Sequence, residues 1–441
     1  MTDLDLSKIK KVFFIGIGGI GISGGALFAL AREMEVSGVN DEENSKTLEP
    51  LREAGIEIFL VKKQSLAQDF LLRNVNHSQD FVSLPLADLY VYSDAWVYRG
   101  PEVIEKARKT GKPVMSYFEM LGEFAKEYKV IAVSGTHGKT TTTAMIAEIM
   151  IDAELDPTVV VGSFMKKFES NFRAGKSEYL VVEADEYNRH FLNFHPFIGV
   201  VTNIESDHLD YYKNLADIKD AFDQFLSQSE NKIFDYQKYL DKVPKLLVPG
   251  EHNRKNAAAA LAVADILNIK LEDAQKSLSE FSGTSRRLEK KGETKEGAII
   301  YDDYAHHPTE IRASIQALRE LYSKQGEGQK KITILFQPHL YSRTKALFDD
   351  FAKCFKGADK VLLLPIYFAR EDKDESVSSE KLAKAINETI SKTGNSAEAF
   401  SDFQSAEEFV KTLNLGPEDI FVTMGAGEAY KVVDKIFRLD F

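Results

Sequence analysis

Only one cysteine, Cys354, occurs in the 441 residues. That excludes an internal disulfide framework and suits a reducing compartment, with Cys354 expected as a small buried hydrophobe. An excess of positive charge is also lacking. Lys and Arg total 56 against 68 Asp and Glu, a net charge of −12, which argues against nucleic acid or an anionic membrane surface as partner. Long apolar runs are missing: none approaches the ~18 residues that span a bilayer. The acidic start Met1-Thr2-Asp3-Leu4-Asp5 has no apolar signal region, so a cytoplasmic location is expected. No repeat of fixed period and no low-complexity block stands out.

What is present is ordinary globular composition, 44% hydrophobic and 28% charged, at a length that corresponds to about three domains. Apolar runs at 11–15, 35–39, 56–60 and 86–92 read as strands, alternating with helical patterns at 22–34, 48–54 and 101–110. A connecting helix is expected at 120–128. Strands at 130–133, 158–161, 179–183 and 197–203 and helices to 153 and at 256–267 form a second block. The third has strands at 298–302, 331–336, 360–364 and 420–424, with helices at 309–321 and 342–355. Such β–α alternation predicts parallel sheets with right-handed crossovers. The expected fold is α/β with three successive domains, at 1–128, 129–285 and 286–441.

The sharpest chemical signal is Gly135-Thr136-His137-Gly138-Lys139-Thr140-Thr141-Thr142, between an apolar strand and a helical pattern. A strand, a glycine turn with Lys and a helix N-terminus together cradle nucleotide phosphates: backbone N–H groups face the anion, Lys139 supplies a point charge and Thr140 a hydroxyl for Mg²⁺. Val133 stands where the strict motif has its first Gly. Gly16-Ile17-Gly18-Gly19-Ile20-Gly21 also lies between a strand and a helix, with Asp41 twenty residues beyond Gly21 where a ribose-binding acid falls. Its functional reading is a diphosphate on the helix N-terminus, in a dinucleotide or a UDP-sugar; its bland reading is tight helix–strand packing.

Other polar groups collect after apolar strands. Glu183-Ala184-Asp185-Glu186 is suited to complete a Mg²⁺ shell, unless these are simply solvated acids. Asn203, Asp207 and His208 share the next strand end, where His208 binds a second metal or orients a phosphate, or is merely structural. Asn253 and Asn256 either cap a helix or read an adenine edge. Arg286-Arg287 is suited to clamp phosphate, and Arg343 in Gln337-Pro338-His339-Leu340-Tyr341-Ser342-Arg343-Thr344 to hold a substrate carboxylate. Asp302-Asp303-Tyr304-Ala305-His306-His307-Pro308 is hard to explain as packing.

In their order and spread along the chain these segments resemble the Mur ligase family of bacterial cell-wall synthesis. The resemblance implies a Rossmann-like UDP-binding domain, a central P-loop ATPase-type domain and a Rossmann-like C-terminal domain. It implies ATP-dependent amide-bond formation, in which a muramyl carboxylate is phosphorylated and the amino group of L-alanine attacks the acyl phosphate. The substrates would be UDP-N-acetylmuramate and L-alanine, with ATP and Mg²⁺ or Mn²⁺. No nucleic acid or membrane partner is implied, and the chain is expected as a monomer or homodimer. By the same resemblance Gly16, Gly18, Gly19, Gly21, Asn40, Asp41 and Ser93 hold the UDP-sugar. Gly135, Thr136, His137, Gly138, Lys139, Thr140, Thr141, Asn253, Asn256, Arg287 and Asp302 serve ATP. Thr140, Glu183 and His208 hold metal, and Tyr304, His306 and Arg343 surround the amino acid. Lys139, Glu183, His208, His306 and Arg343 form the expected catalytic set.

Departures from the family pattern are visible. Val39-Asn40 replaces Ser-Asp, shifting the uridine contact to Asn40 or Asp41. Tyr187 stands where L-alanine-adding members carry Ser, and resembles the relative that ligates a recycled tripeptide. Leu340 stands where some members have Arg, which leaves recognition of the amino acid leaning on Arg343. The stretch 227–248 is short, so a small antiparallel sheet of the central domain is expected to be missing. Phe222 lies where sibling ligases use a modified lysine. The alternatives are the tripeptide-recycling ligase, a nicotinamide-dependent oxidoreductase built on the first glycine turn, and a catalytically silent nucleotide-binding protein.

Overall fold

The computed structural model describes residues 4–43, 45–63, 70–74, 80–81, 83–323, 330–368, 371–390 and 396–437. The chain divides into two compact units. The first comprises Met1–Asn203, Lys219–Tyr239 and Ala259–Leu278; the second comprises Ile204–Ile218, Leu240–Ala258 and Ser279–Phe441. No helix among the described residues is long and apolar enough to cross a membrane.

The first unit contains two sheets. One holds β1 (Lys11–Ile15), β2 (Glu35–Asn40), β3 (Glu57–Lys63), β4 (Phe70–Asn74), β5 (Asp80–Phe81), β6 (Leu89–Tyr92) and β7 (Val114–Ser116), in the order β5-β4-β3-β2-β1-β6-β7. The other holds β8 (Lys129–Ser134), β9 (Thr158–Met165), β10 (Ser170–Arg173), β11 (Tyr179–Glu183), β12 (Ile198–Val201) and β13 (Asn231–Ile233), in the order β10-β9-β11-β8-β12-β13. Val12 to Ile15 of β1 and Val130 to Ser134 of β8 are buried. Both strands have sheet neighbours on either side, so their near-continuous apolar sequences match strands covered on both faces. In each sheet the strand order reverses at this central strand, and a glycine turn leaves its carboxyl end. That is where open α/β sheets leave a crevice for ligands.

The second unit contains the third sheet, with β14 (Glu289–Glu293), β15 (Ile299–Asp303), β16 (Lys331–Phe336), β17 (Lys360–Leu363), β18 (Ser396–Ala399) and β19 (Asp419–Met424), in the order β14-β15-β19-β16-β17-β18. Ile311, Ile315, Phe336, Phe351, Cys354 and Leu382 lie in one of its buried clusters. The lone cysteine is thus core packing, as expected, and burial pushes its thiol well above the ordinary range.

The all-parallel expectation needs correction at the edges. β4 and β5 run antiparallel to their neighbours, as do β10 and β14. The expected helix at 342–355 is two helices, Tyr341–Ala346 and Phe348–Cys354, parted at Leu347 (φ −111°, ψ 22°). The connecting helix is Tyr117–Ala125, set by a capping box in which Ser116 and Glu119 satisfy each other's backbone N–H groups. Residues 227–248 carry β13, which pairs parallel with β12, and a short turn of helix at Gln237–Lys242; no antiparallel strand occurs there. The Tyr236 hydroxyl donates to the Thr202 carbonyl and that of Tyr239 to Asp265 (2.6 Å), which holds the part of this stretch up to Tyr239 within the first unit.

Candidate active site

Backbone sterics shape the first glycine turn. Gly16 has φ +82°, and its N–H and that of Ile17 both donate to the Val39 carbonyl, at 2.8 and 3.0 Å. A Cβ on Gly16 would lie 2.2 Å from the Trp96 ring, and one on Gly18 would lie 2.6 Å from the Asn40 amide. Asn40 Oδ1 accepts from the Gly18 N–H at 3.2 Å while its Nδ2 donates to the Glu42 carbonyl at 2.8 Å. Asn40 therefore organises the turn through its backbone. Ser93 follows β6 and lies beside Gly19, its Oγ 3.8 Å from where a Cβ would be, and Tyr117 abuts Gly21 and Gly25. Asp41 pairs with Arg99 at 3.4 Å. The four glycines, Asn40, Ser93 and the Asp41 backbone thus share one corner of the first sheet, where the helix Ile20–Ala31 begins without a side-chain cap.

In the second turn Gly138 takes φ +82° and leads directly into the helix Lys139–Asp152. Such a helix start presents backbone N–H groups and the positive end of the dipole. Asn203 braces the turn from the end of β12: its Oδ1 accepts from the His137 N–H at 3.0 Å, its Nδ2 donates to the His137 carbonyl at 2.9 Å, and its carbonyl accepts from the Thr136 N–H at 3.0 Å. Gly135 is required here, because a Cβ would meet Thr202 Oγ1 at 2.0 Å on a backbone with φ +135°.

Lys139 Nζ donates to the carbonyls of Gly135 (2.7 Å) and Thr136 (3.3 Å) and pairs with Glu186 at 2.8 Å. Burial opposes its charge, but Glu186, Asp185 and Glu183 outweigh burial and hold the ammonium above the usual lysine range. Thr140 Oγ1 donates to Glu183 Oε1 at 3.0 Å, and Glu183 Oε2 accepts from the Gly162 N–H at 2.8 Å. A hydroxyl and a carboxylate meeting at the helix start make an oxygen donor pair of the kind Mg²⁺ prefers. Gly162 leaves Glu183 its position, since a Cβ there would lie 2.5 Å from the carboxylate.

The second unit holds a separate polar cluster. Asp207 accepts from Arg343 Nε at 3.0 Å and NH2 at 3.4 Å, and a further N–H of Arg343 faces His339 Nδ1 at 3.1 Å. Burial would raise the Asp207 carboxyl, yet Arg343, His208 and His306 hold it well below the carboxylate range. Three of the five guanidinium donors are thereby engaged. His208 takes φ +53°, with Nε2 3.8 Å from Asp207. His306 Nδ1 faces the Tyr304 carbonyl at 3.0 Å and Glu310 at 3.4 Å; burial pushes its imidazole down to about 4, so the ring is neutral at pH 7. Tyr304 packs edge-on against His306, with ring centroids 5.4 Å apart. Leu340, buried at φ +71°, donates its N–H to the Tyr367 carbonyl at 2.8 Å and brings no charge to this cluster.

Asp302 accepts from Arg286 Nε at 2.9 Å and from Thr423 Oγ1 at 2.7 Å. The guanidiniums of Arg286 and Arg287 each lie 5.1 Å from the Tyr304 ring centroid. Asn253 and Asn256 do not cap their helix, which begins earlier, at Glu251. Asn253 Nδ2 donates to the Pro249 carbonyl at 2.7 Å and Asn256 Nδ2 to Asn253 Oδ1 at 3.2 Å, so capping is excluded as their purpose.

The structure thus brings together Lys139, Thr140 and Glu183 in one unit and Tyr304, His306 and Arg343 in the other, with His208 beside Asp207 in the second. Three residues hold these groups in ways the sequence does not reveal: Glu186, expected with its tetrad at a metal, pairs with Lys139; Asp207 pairs with Arg343; and Arg286, expected on phosphate, pairs with Asp302. Each lies inside a motif or adjoins one, and the available signal was charge. A buried Lys or Arg needs a carboxylate, and Glu186 and Asp207 lie within a few residues of strand ends.

Three family models cover the chain in order: Mur ligase family, catalytic domain, at residues 11–129; Mur ligase middle domain at 133–237; and Mur ligase, glutamate ligase domain, at 286–427. A UDP-N-acetylmuramate–L-alanine ligase of Caldanaerobacter subterraneus is 37% identical, covering 99% of both chains. One of Clostridium acetobutylicum is 38% identical over 98% of each. The first of these alignments runs over 487 positions against 441 residues here, so that relative carries residues this chain lacks. Among solved structures, the UDP-N-acetylmuramate–alanine ligase of Thermotoga maritima superimposes with a TM-score of 0.76 at 26% identity, covering 97% of this chain and 98% of that one. A murein peptide ligase of Psychrobacter arcticus, at 22% identity and a TM-score of 0.66 over 97% and 98%, shares the fold.

Proposed function

This chain belongs to the Mur ligase family, and from that premise we infer that it joins L-alanine to UDP-N-acetylmuramate at the expense of ATP in peptidoglycan precursor synthesis. The carrying observation is 37–38% identity over nearly the full length to relatives named L-alanine ligases, in a chain that carries the lysine-bearing phosphate turn.

The reaction implied by family membership matches the groups present. The muramyl carboxylate oxygen attacks the γ-phosphorus of ATP, the bond to the β-phosphate oxygen breaks, and ADP leaves an acyl phosphate. The amino nitrogen of L-alanine, its ammonium proton lost to solvent, adds to the acyl carbon; the tetrahedral intermediate then collapses, the carbon–oxygen bond breaks, phosphate leaves with the electron pair, and the nitrogen gives up its second proton. The turn amides and Lys139 stabilise charge on the moving phosphoryl group. Thr140 and Glu183 are the residues that fit a divalent ion, Mg²⁺ or Mn²⁺, and such an ion would neutralise phosphate charge there. His208 and Arg287, with Asp302, Asn253 and Asn256, are assigned to metal and ATP by family likeness. His306 works as a neutral hydrogen-bonding ring near the amino acid, because an imidazole held at about 4 is too weak a base to keep an ammonium's proton. Gly16, Gly18, Gly19, Gly21, Asn40, Asp41 and Ser93 hold the UDP end, the glycines by close backbone approach. A cytoplasmic location belongs to the same reading.

The test is phosphate release from ATP with UDP-N-acetylmuramate and either L-alanine, L-alanyl-D-glutamyl-diaminopimelate or no acceptor. Release with L-alanine alone is expected. Release with the tripeptide alone would move the assignment to the recycling ligase, with Tyr187 as the residue to examine. Release with neither would leave a silent nucleotide binder.

A further inference from the structure

The Glu183–Glu186 tetrad is followed by an unusual turn. Asn188 (φ 53°, ψ 22°) and Arg189 (φ 56°, ψ 28°) are consecutive left-handed residues, neither of them Gly. Each costs energy that surrounding contacts must offset, and such strain concentrates where geometry serves function. What the turn delivers is His190, whose side chain is only 7% exposed. Its Nε2 hydrogen-bonds Asp94, 96 residues away. Asp94 follows Ser93 at the end of β6, beside the first glycine turn.

Further contacts fix this link at both ends. The His190 ring stacks on Phe118 at 4.3 Å between centroids and 16° between planes. Phe118 neighbours Tyr117, which packs against Gly21 and Gly25 of the helix that opens on the diphosphate turn. On the other side, the Phe191 N–H donates to the Asp185 carbonyl at 2.8 Å and the Arg189 N–H to the Glu186 carbonyl at 3.1 Å. The backbone that carries Glu183 and Glu186 is therefore tied to His190 within a few residues. Gly122 seals the contact, since a Cβ there would lie 2.7 Å from the Asn193 carbonyl. A buried ring with one polar partner, delivered by a strained turn, specifies position more than it adds stability.

We propose that the His190–Asp94 pair is a positioning strut that couples UDP-sugar binding at the first glycine turn to the Lys139–Glu183–Glu186 phosphate site. This rests on the functional reading above. UDP-N-acetylmuramate ordering the Ser93–Asp94 corner fixes His190, and His190 fixes the acids that hold Lys139 and Thr140. Neither His190 nor Asp94 touches a reacting atom, so both are positioning residues.

The test uses the full chain and measures the dissociation constant of adenylyl imidodiphosphate with Mg²⁺ by titration calorimetry, without and with saturating UDP-N-acetylmuramate. The wild-type protein is expected to bind the analogue at least about fivefold more tightly with the sugar nucleotide present, and the reciprocal titration to give the same factor. In His190→Ala and Asp94→Asn the factor falls below about twofold, while each ligand alone still binds within about threefold of wild type. The double variant is no worse than either single one, because both break one link. His190→Gln, which keeps an N–H near Nε2, restores part of the coupling. Coupling that survives in Asp94→Asn, whose partly exposed side chain makes it the variant safest for folding, overturns the strut, as does its absence from the wild-type protein. A wild-type protein that does not bind UDP-N-acetylmuramate at all overturns the functional reading, and the strut falls with it.

Discussion

Lys139, mostly enclosed, and Arg343, buried, are cations facing buried carboxylates, one in each unit, and they are held in opposite ways. Lys139 ends in a point charge 2.8 Å from Glu186, with its remaining bonds to carbonyls of its own turn. An ammonium on a flexible stem can turn from these partners to a phosphate without losing donors. Arg343 is a planar fork, two sides of it on Asp207 and a third on His339. Turning it toward a substrate would break its contacts to both Asp207 oxygens at once. The contrast assigns Lys139 to the moving charge and Arg343 to the frame that presents its neighbours, with two donors left for an amino-acid carboxylate.

The largest expected effect breaks the Arg343 side of this contrast. Arg343→Ala leaves Asp207 buried without its counter-ion, and loss of one partner from a buried pair costs on the order of 3–5 kcal/mol. Urea denaturation of the variant checks it, and a cost under about 1 kcal/mol would mean that Asp207 finds another partner. Arg343→Lys is not expected to restore stability, because a single ammonium cannot replace the fork.

Lys139→Ala breaks the other side. Turnover should fall on the order of 10²-fold or more, since a charge on the transferring phosphate is removed. Steady-state phosphate release checks this, and a loss below about threefold sinks the role. Lys139→Arg should not recover full activity, because the turn that holds Nζ between two carbonyls was shaped around a compact head group.

A third effect sharpens the contrast through pH. The Lys139 site is crowded with carboxylates that favour its charge, whereas near Arg343 burial keeps His306 neutral. The imidazole is held at about 4 in the folded protein, against an unfolded value of 6.5. Between these values the unfolded chain binds a proton that the native state does not, so stability falls as pH drops from 6.5 toward 4, and above 6.5 the group contributes nothing. Asp303 works in the opposite direction, raised by burial to about 6, so wild-type stability alone would hide the effect. The stability difference between His306→Gln and wild type isolates it. The variant should gain relative to wild type as pH falls through that window, with a limiting slope of about 1.4 kcal/mol per pH unit. A difference that stays flat from pH 7 to 4.5 contradicts a neutral His306.

Much of this was legible in the sequence, and the reason differs by region. The central strands announced themselves because burial on both faces leaves few residues but apolar ones, as in Val12-Phe13-Phe14-Ile15. Both glycine turns were readable because Gly16 and Gly135 occupy backbone or space that no other residue tolerates. The antiparallel edge strand Glu289–Glu293 was not, since its sequence Glu-Lys-Lys-Gly-Glu has neither apolar alternation nor β propensity and is a strand only by pairing with β15. One helix start departs from its sequence pattern for a related reason. Asn253 and Asn256 have the chemistry of caps, yet the chain turns at Gly250, where φ is +97°, and the helix has already begun. The partners of the two buried cations were illegible in a different sense. Asp207 lies 136 residues from Arg343, and no local pattern pairs them.

The smallest effect tests the contrast from outside the core. Asp41 and Arg99 form a third cation–carboxylate pair, but at 3.4 Å and with side chains 34% and 37% exposed. Water already solvates both charges, so breaking the pair should change stability by less than about 1 kcal/mol. Function gives a separate readout. If Asp41 holds the ribose of the UDP-sugar, Asp41→Asn should raise the KM for UDP-N-acetylmuramate several-fold while leaving the KM for ATP and the melting temperature nearly unchanged. Arg99→Ala breaks the same ion pair without touching that carboxylate, so it should leave all three nearly as they were. Equal KM changes in the two variants would mean that the pair, and not the Asp41 carboxylate, shapes the first turn. The expected uridine contact at that strand end would then fall to Asn40.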